Sequence, residues 1–265
     1  MEKPQKNFKL VTEKRARVIL PNIFTLVGVC IGLSSIKFAF DEKFEVAIIA
    51  IIAAAIIDGL DGRIARILKG TSKVGKELDS LTDVISFGVA PAFIMYFWSL
   101  NALGRVGWLI CLAYVVCVAL RLARFNVNSE AEPSWRDNFF EGMPSPAGGV
   151  LVLTPLVYSL SEFKFLEIDY NLIVPSFFII ISILLISKVP TYSFKKIVVP
   201  RRLTIFLLLA VILYFGVLLI YTFNAIVISS LIYMLMIPFS YFHFNKLNKN
   251  SQKLSSSVDD DEDIL

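Results

Sequence analysis

Charge is scarce in this chain. Asp, Glu, Lys and Arg together make up 18% of its 265 residues, while 56% are hydrophobic and the mean hydropathy is +0.71. Soluble domains carry about 25% charged and about 45–50% apolar residues, so a water-soluble core-and-surface protein is excluded. Cysteine is nearly absent as well. Cys30, Cys111 and Cys117 all lie inside apolar stretches, which rules out a disulfide framework or a thiolate metal site and leaves small buried hydrophobes. The single histidine, His243, falls near the end of the last apolar stretch. It cannot make a multi-histidine metal site, so any metal or acid–base chemistry must rest on carboxylates. No A-x-A cleavage site is present and Met1–Leu20 is too long and polar for a signal-peptide start, so no segment is expected to be removed. Internal repeats and a soluble domain are also lacking.

What the chain does have is long apolar runs. Segments at about 19–40, 44–65, 80–100, 105–125, 145–160, 171–187, 203–221 and 225–244 approach or reach the ~20 residues that a helix needs to cross a bilayer. The expected fold is therefore all-α, a polytopic transmembrane bundle of about eight helices. The fifth and sixth are short, with Pro146, Pro155 and Pro175 at or near their ends. With the N-terminus placed in the cytoplasm, 22 of the 26 Lys and Arg residues fall on inside segments, which puts both termini in the cytoplasm by the positive-inside rule. Residues 1–18 read as a basic N-terminal segment, with an interfacial helix over Phe8–Val18 as one form of it. Residues 19–244 form the membrane domain, and 245–265 a disordered acidic tail.

The net charge of +4 hides an asymmetry. Five of the 22 acids and none of the 26 bases lie in Ser255–Leu265, so the rest of the chain is strongly basic. That suits an anionic bilayer surface or an anionic substrate. The bases sit at helix ends and not in one stripe, which argues against a nucleic-acid partner.

Four aspartates carry the chemistry. Asp58 and Asp61 are three apart near the end of the second apolar segment, and Asp79 and Asp83 four apart near the start of the third. Those spacings put each pair on one helical face. A short connection makes the two helices antiparallel neighbours, so all four carboxylates can converge near the cytoplasmic surface. Close like charges repel, and hard divalent cations such as Mg²⁺ or Mn²⁺ offset that cost through oxygen coordination. The count suits two ions clamping a diphosphate. Gly59, Gly62, Ala65 and Gly75 leave room for a ligand near the backbone, and Arg66 adds a bidentate phosphate donor. Taken singly, a glycine in such a helix is a packing residue and an arginine a topological anchor; the combination is what points to a site.

The string D-x2-D-G-x2-A-R-x8-G-x3-D-x3-D over Asp58–Asp83 resembles the signature of the CDP-alcohol phosphotransferase family at every fixed position. The resemblance implies an integral membrane enzyme with a six-helix core, to which this chain adds two C-terminal helices. It implies Asp58, Asp61, Asp79 and Asp83 as ligands of two divalent metals, with Asp83 also the proton acceptor. Gly62, Ala65, Arg66, Ser72 and Gly75, with Pro21-Asn22 at the first helix, would contact the CDP-lipid. Homodimerisation is implied too. The segments at 78–92, 119–126, 140–149 and 187–195 resemble the bacterial-type phosphatidylserine synthases of that family. The implied reaction joins CDP-diacylglycerol and L-serine to give phosphatidylserine and CMP at the cytoplasmic face of a bacterial inner membrane. Arg121, Arg124, Asn126 and Lys188 are the candidates for holding serine, against plain positive-inside anchoring. Pro91 is expected to kink the third helix behind the aspartates. The rivals are another acceptor (glycerol 3-phosphate, inositol phosphate or choline), a prenyltransferase and, most remote, a non-enzymatic cation transporter.

Overall fold

The computed structural model describes residues 13–68, 72–128, 139–162, 169–192 and 200–262. Each of the eight apolar segments is helical. In chain order the elements are α1 (Glu13–Phe40), α2 (Phe44–Ile67), α3 (Lys73–Asp83), α4 (Ala90–Trp98), α5 (Arg105–Asn128), β1 (Phe139–Glu141), α6 (Ser145–Val152), α7 (Thr154–Leu160), α8 (Tyr170–Ile186), β2 (Pro190–Tyr192), α9 (Arg201–Ile220) and α10 (Thr222–Glu262). Among the described residues, five helices are long and apolar enough to cross a membrane: Ile19–Phe40, Lys73–Trp98, Arg105–Val127, Leu203–Ile220 and Thr222–Asn248. This is a multi-pass membrane protein. The 24-residue α2 is long enough to join them, but Asp58, Asp61 and Arg63 make its last turns polar.

Several boundaries move from their expected places. The third span starts at Lys73 instead of 80, because Ser72 caps it: the Ser72 hydroxyl accepts from the Gly75 N–H at 2.9 Å. Such a cap satisfies one of the orphan donors of a helix start, and it places Asp79 and Asp83 two and three turns into the helix. The sixteen-residue segment 145–160 is two short helices that meet at Leu153, next to Pro155. Residues 13–18 of the basic N-terminal segment are the first turns of α1, and residues 1–12 lie outside the described residues. At the other end, α10 runs on to Glu262, through the tail for which composition predicts disorder. The expected boundary at 244 is therefore no break in secondary structure, since nothing between 244 and 262 is a glycine or proline that would stop a helix already nucleated upstream.

The third span departs from an α-helix ahead of Pro91, where Val84–Val89 form a π-helical turn between α3 and α4. Pro91 has no N–H to offer the Phe87 carbonyl four residues back. The buried Tyr114 hydroxyl of α5 donates to that carbonyl at 2.7 Å. This turn sits at the centre of the bundle and is gripped from three sides. A side chain at Gly32 of α1 would start 3.1 Å from the Ser86 Cα, and one at Gly149 of α6 would start 3.0 Å from the Phe87 Cα. Small residues let backbones approach this closely in a membrane bundle, where packing rather than hydrophobic burial drives association. Phe87, Ile94, Met95, Tyr114 and Phe178 fill the core around it.

α1 packs along α2, α5 along α8, and α10 against α7 and β2. A two-stranded antiparallel ladder, Phe139 opposite Tyr192 and Glu141 opposite Pro190, ties the start of α6 to the end of α8. Gly142 makes the turn out of β1 at φ +78°, and a Cβ there would meet the Ser187 carbonyl oxygen at 2.7 Å. Only glycine fits both conditions. None of Leu203–Ile220 is buried, so α9 presents nearly its whole surface outward.

Candidate active site

The packing of α1, α2 and α3 gathers the aspartates. One carboxylate oxygen each from Asp58, Asp61 and Asp79 lies within 4.8 Å of the others. Asp83 joins the group from the next turn of α3, with Asp58 as a carboxylate neighbour. Its Oδ1 is shut off from solvent and has no hydrogen-bond partner. Two carboxylates in contact repel unless a proton or a cation lies between them. No ion pair neutralises any of the four among the described residues. Clustered oxygen donors and an orphaned carboxylate oxygen together fit a hard divalent cation such as Mg²⁺ or Mn²⁺.

Asp61 is the most buried of the three at 4% exposure. The Thr25 hydroxyl of α1 lies 2.9 Å from its Oδ2 and 3.1 Å from the Pro21 carbonyl. Thr25 escaped the sequence reading. Its signal was its position four residues after Pro21, which puts the two on one face of α1.

The expected CDP-lipid residues divide into two groups. A Cβ at Gly62, or at Gly59 one turn before it, would meet no atom within 4 Å, so α2 offers open space beside the aspartates. Ala65 is half-buried farther along that helix. Arg66 lies in α2, and its side chain is outside the described residues. Ser72 and Gly75 serve the protein itself: Ser72 caps α3, and a Cβ at Gly75 would stand 2.9 Å from the Asn22 Oδ1. Gly75 therefore gives close approach to Asn22 of α1. The small residue is needed because α3 begins against α1.

The four candidate serine residues also separate. Arg121 is 8% exposed, donates to the Ser145 hydroxyl at the start of α6, and has Asp83 as its nearest acidic influence. The spacing of three predicts that Arg124 shares its face, yet Arg124 donates to the Ile186 carbonyl at 2.7 Å and so fastens the end of α8. The Asn126 amide donates to the Ser80 hydroxyl at 2.9 Å, and Lys188 is exposed beyond α8. A shared face on one helix does not mean a shared neighbour, because α6 and α8 flank α5 at different angles. Arg121 lies within electrostatic reach of Asp83.

The sequence profile of CDP-alcohol phosphatidyltransferases matches residues 18–186. The chain belongs to the CDP-alcohol phosphatidyltransferase family. It is 43% identical over 189 residues to a CDP-diacylglycerol–serine O-phosphatidyltransferase of Mycobacterium leprae, covering 69% of this chain and 61% of that one. A protein of the same name from Helicobacter pylori is 37% identical over 195 residues, or 74% of this chain and 80% of the relative. An archaetidylserine synthase of Methanothermobacter thermautotrophicus is 34% identical over 182 residues, 65% and 69% of the two chains. The match spans less than two thirds of the length of the mycobacterial relatives, 61% and 64% for two of them.

In this member of the family, α9 and α10 lie beyond the matched region. They complete an apolar groove of about 360 Å³, with Ile52, Ala55 and Ala147 on the core side and Leu218 and Ile226 on the other. Ala55 is three residues before Asp58, so the groove ends about one helical turn from the aspartates. Tyr233 of α10 also lines it, a residue the sequence reading did not single out.

Proposed function

We propose that this protein transfers the phosphatidyl group of CDP-diacylglycerol to L-serine, forming phosphatidylserine and releasing CMP. The observation that carries the reading is the convergence of Asp58, Asp61 and Asp79, with the orphaned Asp83 oxygen behind them and the buried Arg121 beside it. The relatives' names supply the acceptor, serine. Two divalent ions, Mg²⁺ or Mn²⁺, held by Asp58, Asp61, Asp79 and Asp83, would draw charge from the phosphoryl oxygens and the departing CMP.

The side chains divide the remaining work. A serine hydroxyl is a weak nucleophile and needs a base within about 2.6–3.2 Å. Asp83 accepts its proton while the serine oxygen bonds to the lipid-side phosphorus and the bond from that phosphorus to the CMP oxygen breaks. Attack is direct and in line, which inverts configuration at phosphorus. Arg121 holds the serine carboxylate through its guanidinium fork. Gly62 and Ala65 leave room for the CDP moiety, Arg66 binds its phosphates, and Pro21, Asn22, Ser72 and Gly75 shape the floor where α1 meets α3. One acyl chain lies in the groove between α2, α6 and the C-terminal helices, whose lining is apolar where it nears the aspartates.

The bases concentrated at one set of helix ends support a cytoplasmic active site, with both termini on that side of a bacterial inner membrane. The protein works as a homodimer, as the family resemblance implies. The test is CMP release by purified protein from CDP-diacylglycerol with a divalent metal and a panel of labelled alcohols. Release with serine alone is expected. Release with glycerol 3-phosphate or inositol phosphate instead would move the acceptor, and no release with any alcohol would refute the enzyme reading.

A further inference from the structure

Three buried polar atoms lack hydrogen-bond partners: Asp83 Oδ1 of α3, Arg121 Nε of α5 and the Tyr233 hydroxyl of α10. Tyr233 lines the groove with Pro146 and Ala147, next to the Ser145 that Arg121 holds. Arg121 stands within electrostatic reach of both of the others. Its remaining contacts are accounted for, since Nη1 donates to Ser145 and the guanidinium lies 5.8 Å from the Phe125 ring centre. The Tyr233 hydroxyl lies beside Thr191 but out of good hydrogen-bonding geometry, and the Thr191 proton is already given to the Gly142 carbonyl at 2.7 Å. Three residues before Tyr233, Ser230 has a buried hydroxyl that is also unpartnered. Residues three apart share a helical face, so this face of α10 brings polar groups into an interior that gives them no partner.

Buried polar groups are nearly always paired, and leaving several unpaired in one place is costly. A polar ligand removes that cost. It must accept hydrogen bonds at the Arg121 and Tyr233 end and donate one at the Asp83 end. A hydroxy amino acid does both, with its carboxylate facing the two donors and its hydroxyl facing the carboxylate. We propose that Tyr233 donates a hydrogen bond to the carboxylate of the acceptor amino acid, beside Arg121, so that α10 completes the acceptor pocket. The proposal rests on the serine-transfer reading above, but it adds a specificity residue from a helix outside the family-matched residues 18–186. Tyr233 touches the end of the acceptor remote from phosphorus, so its contact is equally strong before and during the reaction. It should act on serine binding and not on the chemical step.

The test compares the full-length protein with Tyr233→Phe in lipid nanodiscs. Phenylalanine keeps the ring in the groove and removes only the donor. Binding of labelled L-serine is measured in the presence of Mn²⁺ and CMP, and steady-state CMP release is measured separately. A hydrogen bond to a charged group predicts that the serine Kd and KM rise about tenfold, with kcat, the CDP-diacylglycerol KM and the melting temperature unchanged. Unchanged serine binding in Tyr233→Phe overturns the proposal. So does an equal rise in both KM values with a lower melting temperature, which is the mark of a structural tyrosine. If the wild type binds serine, the variant binds it more weakly and neither releases CMP, then the pocket stands and the transferase reading falls. A wild type that binds no serine overturns both.

Discussion

Thr25→Val isolates the support given to one metal-ligand candidate. The Thr25 hydroxyl reaches the Asp61 Oδ2 at 2.9 Å from a position only 5% exposed, so water cannot take its place. Valine has nearly the same shape and leaves the α1–α2 packing intact. The Pro21 carbonyl, which also faces this hydroxyl at 3.1 Å, is a main-chain acceptor inside α1 and keeps its helical N–H. The loss is therefore concentrated on the carboxylate. A hydrogen bond to a charged group contributes about 1.5–3 kcal/mol, and replacing the outer partner of a metal ligand typically costs about 10–100-fold in metal affinity or activity. The assay is CMP release as a function of Mn²⁺ at saturating CDP-diacylglycerol and serine. The half-saturating Mn²⁺ concentration should rise at least about tenfold, with much of the rate recovered in excess metal, and Thr25→Ser should behave like the wild type. A midpoint within twofold of the wild type would show that Thr25 does not orient Asp61. A loss that excess metal does not restore, together with a lower melting temperature, would show that it is only a packing residue.

Asp83→Asn keeps the size of the side chain but not its basicity. CMP release should fall about 10²–10⁴-fold even at saturating Mn²⁺ and CDP-diacylglycerol, and activity within tenfold of the wild type would remove Asp83 as the base. Tyr114→Phe strips the donor from the Phe87 carbonyl and should lower stability by about 1–3 kcal/mol, read as an earlier thermal transition with an unchanged serine KM. Ala147→Phe fills the groove between α2, α6 and α10. It should raise the KM for a long-chain CDP-lipid several-fold while sparing a short-chain analogue, and equal effects on both lipids would place the acyl chain elsewhere.

Much of the fold was legible because bilayer crossing leaves a coarse mark on a sequence. Each of the eight apolar segments became helix, and most starts lie within a few residues of expectation. The exceptions have local causes. The third helix gained two turns at its start through the Ser72 cap, a polar-residue signal that a hydropathy boundary overlooks. Its interior carries a π turn because Pro91 withholds a donor and Tyr114, distant in sequence, supplies one. The extension of α10 to Glu262 follows from helix continuing once it is started, where composition alone points to disorder.

The site was legible to a different depth. Spacing put Asp58 with Asp61 and Asp79 with Asp83, and the short link between α2 and α3 brought the pairs together. Gly75 was singled out for its smallness, yet its neighbour is Asn22. Arg121 and Arg124 were indistinguishable along one helix, and only the arrangement of α6 and α8 around α5 sends the first toward Asp83 and the second to the Ile186 carbonyl.

The sequence by itself determined that this is a membrane bundle with a carboxylate cluster at one helix end. Both facts depend on residue type and on spacing within a single helix, and helical periodicity makes them readable from one strand of text. Tertiary structure alone decided which polar groups from different helices meet: Thr25 with Asp61, Tyr114 with Phe87, and Arg121 with Ser145. Such contacts depend on how helices far apart in sequence cross, and those crossings are set by small residues such as Gly32 and Gly149, whose partners no local pattern names.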